Sequence, residues 1–245
     1  MKNLKYTFLL FFINYQIIAQ INSAIVTYKK TYAKQTNSSH KITESQKKRF
    51  EALQAQSDKL SNKISFKLYY SNYEATFKSE PFIGTPQETR FVQMALLPFG
   101  SGLYYNSKED KLHQINSLGE DFIIIYPKNY TKWQITKESK KIGKYVAYKA
   151  IAKEKYGKNN ERFYTIEAWF TPDVNINYGP IGYSGLPGLI LELSKSKVTY
   201  YVEGIILNPK DDVFIKKPTK GVKITNEEFK KMASGAMERY KKIRG

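Results

Sequence analysis

Apolar and polar residues alternate with a period of two along most of this chain, the pattern of a β-strand that buries one face. Ala24, Val26 and Tyr28 interleave with Ile25, Thr27 and Lys29. The same rhythm predicts strands over 64–70, 74–78, 90–96, 102–106, 111–115, 122–126, 133–137, 144–154, 162–171, 189–193 and 199–207. Turn-forming residues separate them, as in Asn106-Ser107-Lys108-Glu109-Asp110, Tyr156-Gly157-Lys158-Asn159-Asn160 and Lys195-Ser196-Lys197. The rhythm changes to that of a helix twice. Thr43 and Gln46 fit a capping box ahead of Phe50, Leu53 and Leu60, which predicts an amphipathic helix over 44–61. Thr225 and Glu228 fit another, ahead of Phe229, Met232, Ala233, Ala236, Met237 and Tyr240. A meander of about ten strands must curl, because twist accumulates from strand to strand. The expected fold is α+β and β-dominated: a strongly curved antiparallel sheet or half-open barrel with two amphipathic helices. No linker rich in Gly or Ser divides the chain, so 20–245 is expected to form a single β-rich domain.

One stretch breaks the strand rhythm. From Tyr178 to Ile190, glycine falls at every third residue, as Gly179, Gly182, Gly185 and Gly188, with Pro180 and Pro187 interleaved. The repeat is far too short for a collagen triple helix, so an extended, polyproline-like segment is expected, with its glycines along one face. That face could lie flat against a sheet or a ligand, while Ile181, Tyr183, Leu186 and Leu189 project elsewhere. Gly179, Gly182, Gly185, Pro187 and Gly188 are the candidate structural loop.

The run Gly185-Leu186-Pro187-Gly188-Leu189-Ile190 resembles the signature of the GLPGLI family of exported bacterial proteins. Ala168-Trp169-Phe170-Thr171-Pro172 and Gly179-Pro180 are similar to the strand and loop that precede that signature. Trp133-Gln134-Ile135, then Ile142-Gly143-Lys144-Tyr145, resemble its usual approach, and Thr225-Asn226-Glu227-Glu228-Phe229 its closing segment. The likeness covers roughly residues 130–230. Many members carry a cysteine where this chain has Tyr145-Val146-Ala147-Tyr148, so a thiol-based role in relatives does not transfer. The resemblance implies export, a β-rich single domain and no established activity.

The amino terminus agrees with export. Lys2 and Lys5 lead an uncharged, largely apolar run from Tyr6 to Ile18, followed by Ala19, which is the layout of a secretory signal peptide over 1–19. The run is shorter than the roughly 20 residues that span a bilayer, so no transmembrane segment is expected after processing. The protein is expected in the periplasm or secreted. Cysteine is absent, so stability owes nothing to disulfides. The formal charge is +18, and removing Lys2 and Lys5 leaves +16. Such a field attracts anionic surfaces. The lysines, however, are spread in pairs with no recognisable nucleic-acid module, so no nucleic acid is expected as a partner.

Candidate chemistry is thin. His40 and His113 lie in different elements and no cysteine is present, so no metal site and no cofactor are expected. Ser184 lacks the G-x-S-x-G elbow of a serine hydrolase. Strand alternation places Glu167 with Trp169, and Glu192 and Glu203 opposite their apolar neighbours, so three glutamates are expected on one sheet face. Paired carboxylates suit glycoside cleavage, but the same face suits a solvated exterior with lysine partners. No catalytic residue is assigned. Trp169, Tyr178 and Tyr183, with Glu167, are the candidate ligand-binding residues, because aromatic rings beside a glycine loop make a stacking platform.

The leading expectation is an exported, non-enzymatic binding or assembly accessory protein for an envelope protein, a glycan or an apolar ligand. The alternatives are a carrier of a lipid or other apolar ligand in an open β-barrel, and a glycan-directed hydrolase using paired glutamates. Export is tested by intact mass: protein recovered from the periplasm is expected to begin at or near Gln20. A cytoplasmic protein that keeps Met1 overturns it.

Overall fold

The computed structural model describes residues 20–32, 43–45, 48, 63–96, 99–117, 119–156 and 162–244. Twelve strands form one sheet: β1 (Ser23–Tyr32), β2 (Phe66–Ser71), β3 (Glu74–Ser79), β4 (Leu103–Asn106), β5 (Lys111–Ser117), β6 (Glu120–Ile125), β7 (Gln134–Ile142), β8 (Tyr145–Tyr156), β9 (Arg162–Thr171), β10 (Leu189–Lys195), β11 (Val198–Leu207) and β12 (Val222–Thr225). Helix α1 (Pro86–Leu96) lies between β3 and β4, and α2 (Asn226–Arg244) follows β12. The strand order is β12-β6-β5-β4-β3-β2-β1-β11-β10-β9-β8-β7. Two arms of sequential antiparallel strands therefore meet where β1 pairs with β11. The sheet is open and strongly curved, and it is not a closed barrel.

The concave face is set by period-two alternation. On β1 the buried positions are Ala24, Val26, Tyr28 and Lys30, and on β2 they are Phe66, Leu68 and Tyr70. Phe66, Phe77 and Tyr200 pack as a cluster, with centroids 5.1 to 5.6 Å apart, and Tyr28 meets Phe77 edge-on at 5.9 Å. Each such pair adds roughly 0.5–1.5 kcal/mol beyond the area it buries. The β9–β10 register slips between Ile190 and Glu192, and the Ile190 carbonyl accepts the buried Tyr28 hydroxyl at 2.6 Å.

Residues 90–96, expected as a strand, belong to helix α1. Thr85 and Glu88 cap it reciprocally: the Thr85 amide donates to Glu88 Oε2 at 3.0 Å, and the Glu88 amide to Thr85 Oγ1 at 3.3 Å. Pro86 takes the first position, where its missing N–H costs nothing. Val92 and Ala95, three residues apart, are buried as a helix face requires, and this outweighs the strand reading of 90–96. The Ala95 carbonyl, in the last turn, accepts from the buried Lys30 ammonium at 2.8 Å and from the Tyr32 hydroxyl. Burial pulls Lys30 down to about 7.

The carboxy-terminal helix forms as expected behind its capping box, where Thr225 Oγ1 donates to Glu228 Oε2 at 2.7 Å. Strand β12 was not expected. It pairs with β6 in parallel, Val222 opposite Phe122, so the sheet is mixed rather than purely antiparallel. Its four residues are too few for alternation to show. Of the helix expected over 44–61, Glu44, Ser45 and Lys48 are helical, and the rest lies outside the described residues. So do the signal segment 1–19, His40 and the turn at 157–160. Among the described residues no helix is long and apolar enough to cross a membrane.

The glycine segment is not polyproline-like. It folds back on itself inside the sheet, with a 3-10 turn at Pro180–Gly182 and a bridge between Tyr178 and Ser184. A polyproline helix leaves its amides and carbonyls to water, whereas Tyr178, Gly179, Pro180, Ile181, Gly182 and Tyr183 are all buried. Buried backbone must find partners, and here it finds its own: the Gly185 amide donates to Asn177 at 3.0 Å, Leu189 to Val174 at 3.0 Å and Gly188 to Leu186 at 2.8 Å. Two glycines allow that path. Gly188 has φ +146°, and a Cβ there would stand 2.0 Å from the Thr171 carbonyl oxygen. Gly185 has φ +93° but open space around it. Gly185→Ala is expected to cost roughly 1–3 kcal/mol through backbone strain alone. Gly188→Ala should cost more, since a fixed carbonyl blocks it. Equal denaturation midpoints for both variants and the parent would remove the structural role of the loop.

Candidate functional site

Beside the glycine loop the curled sheet leaves a hollow of about 270 Å³. Both arms line it: Tyr104 from β4, Lys111, His113 and Ile115 from β5, and Ile124 from β6 on one side; Glu154 from β8 and Lys195 from β10 on the other. Ile181, Gly182 and Tyr183 of the loop form one wall. Asn226, Phe229 and Lys230 from the start of α2 form another, with Phe99, Tyr126 and Tyr130 completing the lining. Local structure explains why charges point inward. Lys195 continues the buried phase of Leu189, Leu191 and Leu193, and Glu154 continues that of Ala150 and Ala152.

Glu154 and Lys195 pair at 2.9 Å, and the Tyr183 hydroxyl donates to the same carboxylate oxygen. Burial pushes Glu154 up, but Lys195, Tyr183 and Lys230 outweigh it and hold the carboxyl below 4.5. Burial pulls Lys195 down against the pull of Glu154. The Lys195 ammonium also lies 4.5 Å from the Phe99 ring centroid and 5.6 Å from that of Tyr183. Lys111 is drawn down to about 8, chiefly by burial. His113 stacks on Tyr104 at 3.9 Å, with Nε2 2.8 Å from the Ser101 carbonyl. Burial holds it down to about 4, so its ring is neutral at physiological pH. Tyr126, Tyr130 and Tyr183 are all pushed up by burial and then by Glu154, and they keep their protons. The hollow thus holds three lysines against one carboxylate, among phenols and aliphatic side chains.

The expected aromatic platform does not form on the surface. Trp169, Tyr178 and Tyr183 are 8%, 5% and 4% exposed. Trp169 sits on the outer face, covered by Lys140 at 4.2 Å and Lys149 at 5.7 Å from its ring, and its Nε1 donates to Glu167 at 3.0 Å. Tyr178 packs beside Tyr70 and donates to the Tyr73 carbonyl at 2.6 Å. Of the candidate binding residues, Tyr183 alone reaches the hollow. The physical reason is burial of the loop, which carries its tyrosines into the core. The glutamates on the outer face pair with lysines, Glu167 with Lys149 at 3.2 Å, Glu192 with Lys140 at 2.9 Å and Glu203 with Lys29 at 3.8 Å. That is the solvated exterior, and no cleft gathers them. Among the described residues no group of three or more His, Asp or Glu could hold a metal ion.

Glu154, Lys195, Lys111 and Asn226 escaped the sequence reading. Lys195 and Glu154 were within reach, since each falls in phase with a buried apolar face. Lys111 and Asn226 come together through the pairing of β6 with β5 on one side and with β12 on the other, which no local pattern announces.

Residues 154–192 match the Porph_ging family model, described as a protein of unknown function. The matched segment starts at Glu154 and contains the whole glycine loop, so the family pattern and the wall of the hollow coincide. No curated protein sequence matches the chain. Two crystal structures of PNGF-II, in space groups C2 and P21, are similar to it at 15% identity with a TM-score of 0.45. The similarity covers 86% of this chain and 32% and 33% of theirs, so the chain spans about a third of their length.

The buried ion pair is open to a double-mutant cycle. Glu154→Gln leaves Lys195 charged and unmatched, and Lys195→Met does the same to Glu154, so each is expected to cost about 3–5 kcal/mol in chemical denaturation. The double variant should recover most of the loss. If each single variant costs under about 1 kcal/mol, the pair is solvated, and the hollow is wetter than its geometry indicates.

Proposed function

We propose that this is an exported binding protein whose ligand occupies the hollow between the two arms of the sheet. One observation carries the reading: ionisable side chains from β5, β8, β10 and α2 converge on a space that the core leaves unfilled. Buried charge is expensive unless it is matched, so a fold that places Lys111, Lys195 and Lys230 around an empty volume has a use for them. About 270 Å³ lies just below the range of roughly 300–1,000 Å³ typical of drug-sized sites. The occupant is a small molecule.

Binding is favoured over catalysis. Glycoside cleavage needs two carboxylates across the scissile bond, and Glu154 is the sole carboxylate among the lining residues, engaged by Lys195 and Tyr183. The alternative of a carrier in an open barrel agrees in location, but the charged groups set in a largely apolar lining argue against a purely apolar cargo. Export rests on the signal-peptide pattern over 1–19. The GLPGLI likeness of Gly185 to Ile190 points the same way, towards the periplasm or cell surface.

Native mass spectrometry of protein purified from the cell envelope tests the reading. The parent is expected to carry a co-purifying small molecule, and Ile115→Trp, which fills the hollow, to lose it while remaining folded. A parent free of any bound molecule, or one retained equally by Ile115→Trp, would displace the site.

A further inference from the structure

The hollow is asymmetric in its hydrogen-bonding character. Its carboxylate is spoken for, since Glu154 faces Lys195 at 2.9 Å and accepts from Tyr183. On the α2 side, Lys111, Lys230 and Asn226 bring donors towards Tyr130, which Glu154 also reaches. The Lys111 ammonium lies 5.8 Å from the ring centroids of both Tyr130 and Tyr183, and it has no ion-pair partner among the described residues. Lys230 Nζ donates to the Tyr130 hydroxyl at 3.4 Å and to the Lys155 carbonyl at 3.1 Å, with no carboxylate in ion-pair range among the described residues. The Tyr130 hydroxyl also lies within reach of the Glu154 carboxylate and of the Asn226 amide, and burial followed by the Glu154 charge keeps it protonated.

Asn226 supplies the second, independent sign. It is 6% exposed, and its Nδ2 has no hydrogen-bond partner among the described residues. It lines the hollow one helical turn before Lys230, on the same face of α2. A buried amide nitrogen without an acceptor is uncommon in a native fold and signals a missing group. At the start of the helix the Glu228 amide is already capped by Thr225 Oγ1, and the Thr225 amide by Glu228 Oε2.

Two ammonium groups without an ion pair and an amide nitrogen without an acceptor among the described residues share a requirement: an acceptor that brings negative charge. Other parts of the lining, Phe99, Ile115, Ile124, Ile181 and Phe229, are apolar. We propose that the hollow contains an oxyanion subsite formed by Lys111, Lys230 and Asn226, and that its ligand is a small molecule with an oxyanion head on an apolar body. This rests on the hollow being a binding site, and it adds the ligand class. Carboxylate and phosphate heads share the chemistry, and the probes separate them.

Benzoate, phenyl phosphate and benzamide are titrated into the purified protein and followed by saturation-transfer NMR and calorimetry. Benzoate, phenyl phosphate or both are expected to bind at least tenfold more tightly than benzamide, which has the same ring and no charge. Whichever binds better identifies the head. Lys111→Met removes one ammonium while keeping the bulk of the stem, and Asn226→Asp replaces the donor with a like charge at a helix position that favours Asp. Both should melt close to the parent, and each should reduce oxyanion binding at least tenfold. Lys144→Met, in the β7–β8 turn, makes the same change in net charge and should leave binding intact. Equal binding of all three probes, unaffected by Lys111→Met, overturns the oxyanion subsite while leaving the hollow as a binding site. An equal loss in Lys144→Met and Lys111→Met assigns the effect to the overall +18 charge and also overturns it. If no probe binds, the subsite falls, and the co-purification experiment alone then decides the hollow.

Discussion

A sheet of twelve strands that curls without closing encloses more space than its own side chains can fill, and the architecture follows from how that space is occupied. The segment between β9 and β10 enters it as a plug. Ile176, Tyr178, Ile181, Tyr183 and Leu186 are all buried there. The plug also braces the two arms. Tyr178 bonds to the β2–β3 turn at Tyr73, the Gly182 carbonyl accepts from Asn106 on β4 at 3.3 Å, Tyr183 reaches Glu154 on β8, and the Ser184 carbonyl accepts from Trp133 at 2.9 Å. A continuous stretch of backbone can lie inside a protein only if its amides and carbonyls are satisfied locally. The every-third glycine spacing is the sequence form of that condition. It was the most conspicuous feature of the chain because the most constrained backbone in the fold lies there.

The plug fills the interior incompletely, and charged side chains reach into the largely apolar space that remains. Inward charges serve two different purposes on the same face. Lys30 ties β1 to the end of α1 through the Ala95 carbonyl, and Tyr200 holds the following turn through the Phe99 carbonyl. Those contacts fix Phe99, one wall of the hollow. Lys195 and Glu154 neutralise each other across β8 and β10. Among the described residues Lys111 and Lys230 make no ion pair, although both lie within the field of Glu154.

The sheet was legible in the sequence wherever one face meets the core and the other meets water. Strands such as β1 and β10 announce themselves by alternation, and their inward phase, carried two residues further, lands on Lys30 and Lys195. Attention to Glu167, Glu192 and Trp169 followed the opposite phase, which faces lysines and solvent. Over 90–96 the short, mostly apolar run reads as a strand, although Thr85, Pro86 and Glu88 ahead of it carry the start signal of a helix. The parallel strand β12 has no local signature. The hollow itself had none either, since β5 and β10 are six places apart in the sheet order and only curvature brings Lys111 within reach of Tyr183. Local patterning specifies elements and phases, whereas a site between two arms is a property of their closure.

The pairing of β1 with β11 has a kinetic side. Ala24 stands opposite Leu207, so the junction of the arms joins chain segments from nearly opposite ends of the described sequence. Each arm is a series of hairpins that can form from neighbouring residues, but their union waits for a very large loop to close, and folds dominated by such contacts form slowly. Strand β12 and helix α2 come later still along the chain, and they bring Asn226, Phe229 and Lys230. The hollow is therefore among the last surfaces to be completed as the molecule folds. A ligand that fits it has no target until the arms have met, and by binding only that state it holds them together.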